Sequence, residues 1–384
     1  MNNVSDSVSL RITPVVSKAD LKQFIAVAET IFKDDPAWIT PLILERTMHL
    51  SAKTNPYFRH AKWQAWIAWR GEYVVGRISA QVDSLYLERY NDATGFFGMF
   101  DAEDNQETFQ LLLDTAHTWL KEQGMKKVRG PFNLSINEEM GLLVDGFTTP
   151  PVFMMSHALP YYAKRIEQCG YVKAKDTLAY MLSPDFEVPT VMKRIIAKAK
   201  SKVTVRAINL KTFDQEMLLL RDIFNDAWSE NWGFIPFTEE EFQELGNNLK
   251  FLVSAELIQI AEVDGEAAAF VVTLPNINEA IRDFNGKLLP FGLFKLLWRL
   301  KVRFPKTARV PLLGVRKKFQ NTRLGPGLAF LVIDAVRIPL QRLGAEQIEL
   351  SWILEDNAGM RNIIESIGGD AYKRYRVFER QLSD

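Results

Sequence analysis

The fold of this chain can be inferred outward from Val310–Asp334, which reads VPLLGVRKKFQNTRLGPGLAFLVID. The apolar run Val310–Val315 predicts a strand, and Leu328–Val336 has the apolar periodicity of a helix. Between them, Pro326 stands between two glycines and fits the first helical turn, where its missing N–H is not needed. A strand, a glycine-containing loop and a helix start together favour binding of an anion, because the backbone can approach it closely and helix-terminal amides carry partial positive charge.

The charge around this segment supports an anionic partner. The fifty residues Phe284–Ile333 contain no Asp or Glu and eleven Lys or Arg, although the whole chain has 47 basic and 47 acidic residues. This local excess predicts that an anion binds here rather than anywhere on the surface. On the pattern alone, the two glycines are equally consistent with a tight turn between a strand and a helix.

At these residues the chain resembles motif A of the GNAT superfamily of acyl-CoA-dependent N-acyltransferases, in which a Gln/Arg-x-x-Gly-x-Gly/Ala loop holds the coenzyme A pyrophosphate. Here the loop is Thr322–Gly327, so both glycines match and Thr322 stands where Gln or Arg is expected. The resemblance implies acyl-CoA as cosubstrate, with the thioester along Leu313–Val315. The implied coenzyme-binding residues are Leu313, Gly314, Val315, Arg316, Thr322, Arg323, Leu324, Gly325, Pro326, Gly327 and Leu328.

Composition restricts the class of protein. A chain of 384 residues, 47% hydrophobic and 24% charged, is typical of a globular protein with two domains. The single cysteine, Cys169, excludes an internal disulfide and a cysteine-rich metal site, and the four histidines lack metal-ligand spacing, so we expect no metal. The polar N-terminus and the lack of an eighteen-residue apolar run predict a cytoplasmic protein.

The order of elements repeats along the chain. Hairpins are predicted at Gly71 and at Gly265, with Ile67-Ala68 before the first matching Ile260-Ala261 before the second. Thr238–Glu241 has the pattern of a capping box and predicts that a helix begins there. The sequence therefore predicts two copies of one α/β unit, residues 1–185 and 190–384. Each is expected to hold a mixed, mostly antiparallel twisted sheet flanked by helices.

The two predicted copies differ where an anion would bind. The segment Phe97–Asp104 of the first copy is acidic and lacks paired glycines, so a pyrophosphate would be repelled. We therefore expect the first copy to be degenerate and the coenzyme to bind only the second. The second copy also carries an insertion at about residues 275–305.

The layout resembles tandem GNAT proteins, in which one domain is active and the other degenerate. Asn357 looks like the Asn that opens the next helix of that family near the pantetheine arm, and the resemblance adds it to the coenzyme site. In many relatives a Tyr seven residues later protonates the leaving thiolate, but here that position is Ile364. Tyr372 and Tyr375 are candidate replacements for this acid. The candidate bases are acids of the second copy, Glu262, Glu349, Glu355 and Asp356, of which the last two lie just past a predicted strand end.

Four further segments resemble a bacterial family that includes proposed ceramide synthases. These segments are Gly95–Phe100, Arg129–Asn133, Gly141–Phe147 and Asn231–Pro236. The resemblance implies transfer of a long acyl chain to the amine of a sphingoid base.

Phe291–Phe304, within the insertion, interleaves large apolar residues with Lys and Arg at helical spacing. Such a helix suits the interface of an anionic bilayer, and its position before the coenzyme loop predicts that it lies beside the mouth of the active site. Alternatively it packs on its own domain while its lysines reach water. A nucleic-acid groove is a third interpretation, but no recognition module accompanies the charge, so we expect no nucleic-acid partner.

The sequence therefore predicts an acyl-CoA-dependent N-acyltransferase acting on a long-chain or lipidic amine, peripheral at the inner face of the membrane. Two alternatives stay open. One is a soluble N-acetyltransferase of a small amine or peptide, and the other is a non-catalytic module that binds acyl-CoA or a partner protein.

Overall fold

A computed structural model describes residues 9–199 and 202–382 of the chain. These residues form two compact units. The N-terminal unit consists of 9–176 together with 375–382, and the C-terminal unit consists of the described residues between 177 and 374.

The first copy contains nine strands and five helices among the described residues. The strands are β1 (Leu10–Pro14), β2 (Ala61–Arg70), β3 (Tyr73–Asp83), β4 (Thr94–Ala102), β5 (Lys127–Gly130), β6 (Phe132–Asn133), β7 (Glu139–Met140), β8 (Leu142–Asp145) and β9 (Val172–Leu182). The helices are α1 (Lys18–Ile31), α2 (Ile43–His49), α3 (Ser84–Tyr90), α4 (Gln106–Glu122) and α5 (Tyr162–Gln168), with a 3₁₀ turn at Pro56–Arg59.

The second copy repeats this arrangement. Its strands are β10 (Val203–Ala207), β11 (Ile258–Val263), β12 (Glu266–Pro275), β13 (Thr307–Val315), β14 (Gln347–Leu354) and β15 (Asp370–Gln381). Its helices are α6 (Thr190–Ala199), α7 (Phe213–Trp228), α8 (Glu239–Leu249), α9 (Ile277–Ile281), α10 (Gly292–Trp298), α11 (Lys317–Gln320), α12 (Gly325–Leu343) and α13 (Ala358–Ser366). Leu210–Thr212 and Ala255–Leu257 are 3₁₀ turns, and Arg299–Arg303 is a π turn.

The two units have the same strand order. In the N-terminal unit the order is β1-β2-β3-β4-β5, followed by the end of β15, and in the C-terminal unit it is β10-β11-β12-β13-β14, followed by the end of β9. Neighbouring strands are antiparallel except for β4 with β5 and β13 with β14, which are parallel. The predicted fold, two tandem units each with a mostly antiparallel sheet flanked by helices, is confirmed.

Local sequence signals account for these elements. Gly71 and Gly265 adopt positive φ at the predicted hairpins. Helix α8 begins with the predicted capping box, in which Thr238 accepts from the Glu241 N–H while the Glu241 carboxylate accepts from the Thr238 N–H. Helix α12 ends at Gly344, whose left-handed conformation is typical of a helix C-terminus.

The compact units do not divide where the copies were predicted to divide. The limits between them fall inside two strands, at Asp176–Thr177 in β9 and at Arg374–Tyr375 in β15. The end of each copy's last strand therefore belongs to the sheet of the other copy's unit. The limits 1–185 and 190–384, which describe duplicated copies of sequence, stay a prediction.

In the N-terminal unit, the space between the two parallel strands is filled by the chain itself. β4 and β5 pair only from Thr94 to Phe96, and the strands then diverge. The segment 131–133 enters this space: Asn133 Oδ1 accepts from the Met99 N–H at 2.8 Å, and the Gln81 amide donates to the Phe132 carbonyl at 2.7 Å. A Cβ at Gly98 would overlap that same carbonyl oxygen, so only glycine allows this approach.

The insertion of the second copy lies between β12 and β13. Helix α10 and the π turn bury Leu296, Leu300 and Phe304 within the C-terminal unit, so the packing interpretation holds for one of its faces. The predicted position beside the mouth of the active site stays a prediction. The insertion leads into the first residue of β13, whereas the predicted coenzyme loop follows its last residue, about 26 Å further along the strand. No helix in the described part of the chain is long and apolar enough to cross a membrane.

Candidate active site

In the C-terminal unit β13 and β14 stop pairing partway along their length, and we call the space between their unpaired parts the cleft. The two strands pair in parallel from Thr307 to Val310 and from Gln347 to Leu350. β13 then continues to Val315 along β12, while β14 continues to Leu354 along β9. Pro311 is the first residue of β13 beyond the paired stretch, and it has no N–H to donate to a neighbouring strand.

A cluster of polar side chains is buried where the strands part. We call it the Arg309 cluster, and it consists of Arg309, Glu349, Ser351, Trp352 and Tyr372. The Arg309 Nε donates to Ser351 Oγ at 2.8 Å and lies 3.5 Å from Glu349 Oε1, and both charged residues are fully buried. The Tyr372 hydroxyl donates to Glu349 Oε2. An ion pair at this depth is costly to desolvate, and the hydrogen bonds with Ser351 and Tyr372 offset part of that cost.

Trp352 has an unusual backbone within this cluster. Its φ is 59°, a left-handed conformation that is strained for a bulky residue, and it coincides with an irregularity in the pairing of β14 with β9. The conformation brings the indole ring beneath Arg309, with the guanidinium carbon 4.2 Å from the ring centre. The buried indole N–H has no hydrogen-bond partner within residues 9–199 and 202–382, so it is a donor available to a ligand.

The N-terminus of α12 follows β13 after a short helical turn, α11. No side chain caps this helix, and its first turn contains Pro326, which has no N–H. The described residues provide no acceptor for the backbone N–H of Arg323 or of Gly327. The Arg323 side chain is exposed beside them. Uncapped amides at the start of a nineteen-residue helix attract an anion.

The structure modifies the role predicted for two residues of this loop. A Cβ at Gly325 would lie 2.5 Å from the Phe319 carbonyl oxygen and 2.7 Å from that of Gln320, so this glycine is required by the turn itself. The Thr322 hydroxyl donates to the Phe319 carbonyl at 2.8 Å and accepts from the Leu324 N–H at 3.2 Å. The side chain of Thr322 thus stabilises the loop, where its Gln or Arg counterpart was expected to contribute to binding.

Most of the eleven Lys and Arg residues in Phe284–Ile333 are bound by acceptors elsewhere in the C-terminal unit. The excess of positive charge in this stretch is therefore smaller than the sequence suggested. Carboxylates from outside the acid-free stretch pair with seven of them: Lys295 and Arg299 with Asp283, Lys306 with Glu346, Arg309 with Glu349, Arg316 with Asp222, Lys317 with Glu230, and Lys318 with Glu266. The other four, Lys287, Lys301, Arg303 and Arg323, are exposed and have no acidic partner among the described residues, and Arg323 is the one beside the N-terminus of α12. The anionic partner is therefore expected at Arg323 rather than along the whole basic stretch.

The strand residues predicted to line the thioester lie along the cleft. The Leu313 carbonyl oxygen accepts from the Trp228 indole at 3.2 Å, and Gly314 allows close packing, since a Cβ there would lie 2.8 Å from the Phe270 ring. Asn357 opens α13 as predicted. Its side chain accepts from the Met360 N–H at 3.1 Å and so caps that helix.

The four predicted catalytic candidates are dispersed. Tyr372 lies in the Arg309 cluster. Glu355 and Asp356 form the turn after β14, the first half-buried and the second exposed. Tyr375 belongs to the N-terminal unit, where it is buried next to Gly141. The Tyr372 hydroxyl contacts a buried carboxylate, that of Glu349.

Sequence reasoning missed the rest of the Arg309 cluster. Arg309 was counted only as one of eleven cations, and Glu349 only as one acid of the second copy. The signal was present in the sequence, because each is a single charge inside an apolar strand: Arg309 follows Ala308 and precedes Val310, and Glu349 lies between Ile348 and Leu350. A charge at such a position is rarely buried without a partner. Over the described residues, no group of three or more His, Cys, Asp and Glu side chains could hold a metal ion.

Two curated proteins resemble this chain over nearly its whole length. Protein YghO of Escherichia coli (strain K12) is 52% identical over 368 residues, which cover 96% of this chain and 94% of that protein. The bacterial ceramide synthase of Caulobacter vibrioides (strain NA1000 / CB15N) is 47% identical over 380 residues, which cover 98% and 99%. No protein-family model matches the chain.

Solved structures share the fold. A tandem GNAT protein from the clavulanic acid biosynthesis pathway has a TM-score of 0.58 at 11% identity, covering 98% of this chain and 99% of that one. A GCN5-related N-acetyltransferase from Sphaerobacter thermophilus has a TM-score of 0.53 at 11% identity, covering 97% and 96%. At such low identity these matches establish the tandem GNAT fold alone.

Proposed function

The chain belongs to the family of the Caulobacter bacterial ceramide synthase and Escherichia coli Protein YghO, and it is an acyltransferase of the tandem GNAT fold; from this premise we propose that it transfers a long acyl chain from acyl-CoA to the amine of a lipid. The observation that carries the proposal is the cleft between β13 and β14. It has an uncapped helix N-terminus at one end and the Arg309 cluster at the other.

We propose that the coenzyme lies along β13. Its pyrophosphate would bind the N–H groups of Arg323 and Gly327 and the side chain of Arg323, and its arm would follow Leu313–Val315. From Arg316 back to Arg309 the strand spans about 23 Å, so a coenzyme held at α12 would present its thioester near the Arg309 cluster. The other loop residues predicted from motif A would shape this site rather than contact the phosphates through their side chains.

The reaction is direct displacement. The amine nitrogen attacks the thioester carbonyl, the C–N bond forms as the C–S bond breaks, and the thiolate leaves with a proton. We assign Tyr372 as the proton donor to the sulfur and Glu349, which accepts its hydrogen bond, as the positioning residue that holds this hydroxyl. The amine gives up its proton to a water or a carboxylate, for which Glu355 and Asp356 stay the predicted candidates.

The lipidic acceptor is proposed from the relative that is named a ceramide synthase and is 47% identical over nearly the whole chain. A long-chain amine is concentrated in a bilayer, so we also propose that the protein works at the inner face of the cytoplasmic membrane and contacts it peripherally.

The test is acyl transfer by the purified protein with radiolabelled acyl-CoAs of increasing chain length. Long-chain amines, dispersed in detergent, are compared with small amines. We expect a labelled amide that extracts into organic solvent, formed in equal amount to free coenzyme A thiol. Acyl-CoA binding without turnover, or turnover only of acetyl-CoA with small amines, would contradict the proposal.

A further inference from the structure

The insertion exposes an apolar helical face to solvent. We call it the Phe291 face, and its five residues are Leu289, Phe291, Phe294, Trp298 and Val302, which are 68%, 79%, 74%, 50% and 71% exposed. From Phe291 to Val302 these residues recur every three or four positions, whereas Leu296, Leu300 and Phe304 are buried. The segment is therefore apolar on both sides, and only one side is covered by its own unit.

So many large aromatic and aliphatic side chains are rarely exposed to solvent within one short segment. Six of the sixteen large exposed apolar residues in the described chain fall within the fourteen positions 289–302. A concentration of this kind marks an interaction surface, whereas single exposed apolar side chains are ordinary.

The charges around the Phe291 face are predominantly positive. Residues 277–306 contain seven Lys or Arg and only two carboxylates, Glu279 and Asp283. Glu279 accepts from the backbone N–H groups of Lys306 and Thr307. Hydrogen bonds from Arg299 and Lys295 hold the pKa of Asp283 well below its usual range, so it stays charged and is shared by two cations.

One exposed cation is near the Phe291 face in sequence, and another lies close to one of its aromatic rings. Lys287 is exposed two residues before Leu289, and the Arg303 guanidinium lies 6.0 Å from the centre of the Trp298 ring. A second copy of the chain docking through the same face would bring like charges together, which is unfavourable. An anionic bilayer has the complementary charge, and its headgroup region accepts the apolar ring faces.

We propose that the Phe291 face docks the protein on an anionic lipid bilayer, with Phe291, Phe294 and Trp298 entering the headgroup region. This rests on the proposed function, for which it specifies the surface that meets the membrane. The last residue of the face, Val302, is seven residues before Arg309, so along the chain it lies within about 25 Å of Arg309. Docking there brings the bilayer to the end of β13 opposite the coenzyme loop, and coenzyme and lipid would reach the cluster from different ends of the strand.

The experiment is flotation of the full chain with vesicles of phosphatidylcholine, with and without phosphatidylglycerol. Wild type should bind the anionic vesicles and release them as salt rises. The variant Phe291→Ser, Phe294→Ser, Trp298→Ser should bind at least about tenfold more weakly, because its apolar contacts with the headgroup region are lost. The matched control Tyr73→Ser, Val172→Ser, Ile338→Ser removes three equally exposed apolar side chains elsewhere and should bind as wild type does.

A second pair of substitutions tests the charge. Lys287→Gln with Arg303→Gln should weaken binding to anionic vesicles by about tenfold and leave binding to neutral vesicles unchanged. The proposal is overturned if wild type ignores anionic vesicles, if the triple variant binds as wild type does, or if the triple variant only converts a dimer into a monomer. Acyl transfer to a detergent-dispersed amine is measured separately on wild type, so failure of the chemistry and failure of docking give different results.

Discussion

Each unit has one pair of parallel strands that separate from each other, and the two units differ in what lies between those strands. In the N-terminal unit the space between β4 and β5 is occupied by residues 131–133, and the following helix, α4, is capped by Asn105 beside Glu103 and Glu107. In the C-terminal unit β13 and β14 diverge over the Arg309 cluster, and α12 has no side-chain cap. A duplicated fold can therefore lose a ligand site through local changes alone: a segment that fills the cleft, and a cap that uses the helix amides.

The largest effect should follow from displacing residues 131–133 from the space between β4 and β5. In Gly98→Ala, the new methyl group meets the Phe132 carbonyl oxygen, a backbone atom that cannot move without displacing the segment. We expect a loss of about 3 kcal/mol or more in the free energy of unfolding, measured by denaturant titration. Gly359→Ala is the control, because its nearest atom would be 3.8 Å away and its cost should be small. Equal stability of the two variants would mean that residues 131–133 are not seated against β4.

The second effect compares matched tyrosines of the two units. Tyr372→Phe removes the hydroxyl that contacts Glu349, and we expect kcat to fall about a hundredfold while KM for acyl-CoA changes little. Tyr171→Phe removes a hydroxyl that lies 2.7 Å from His117 Nε2 in the N-terminal unit and should leave kcat unchanged. If both variants kept wild-type turnover, Tyr372 would have no chemical role.

The third effect concerns the coenzyme. Calorimetric titration should give one coenzyme A per chain, because of the two helices that follow β4 and β13, α4 is capped by Asn105 and α12 has no side-chain cap. Arg323→Glu should weaken that binding by about tenfold through repulsion of the phosphates. It is a cleaner test than a change at Gly325, which would disturb the turn itself. Arg282→Glu makes the same charge change on an exposed residue in the insertion and should have no effect, whereas a stoichiometry of two would overturn the contrast between the units.

The smallest effect tests the cap of α4. Asn105→Ala removes the side chain that accepts from the N–H groups of Glu107 and Thr108, and it should cost about 1 kcal/mol of stability. Coenzyme affinity should not change, since the uncapped amides would still be surrounded by carboxylates. New coenzyme binding in this variant would show that capping alone had closed the first site.

Local signals in the sequence predicted much of this fold, and contacts between distant segments account for what was missed. The glycine hairpins and the Thr238 capping box depend on residues within a few positions of each other, and both were predicted. The approach of Phe132 to Gly98 joins segments more than thirty residues apart, and nothing in either segment specifies the other. The pairing of Arg309 with Glu349 likewise depends on the register of two strands forty residues apart.

The distance between the insertion and the coenzyme loop was not evident from the sequence for the same reason. In the sequence the insertion comes shortly before the coenzyme loop. In the structure β13 lies between them and separates them by its whole length. The helical spacing of the insertion's apolar residues was visible in the sequence. The sequence did not show which of these residues are buried, because burial of Leu296 and exposure of Phe294 depend on how α10 packs.

The last strand has a consequence for how this protein is made. Residues 378–381 of β15 pair with β5, and the Glu379 carboxylate accepts from Arg129 at 2.7 Å. The ribosome makes Asp176 about two hundred residues before Tyr375, which at usual rates of synthesis is a delay of about 10–40 s. During this delay the nascent N-terminal unit exposes the unpaired edge of β5, a site for aggregation or chaperone binding. A stop codon that removes only the last ten residues should therefore destabilise the N-terminal unit, although that unit is synthesised first.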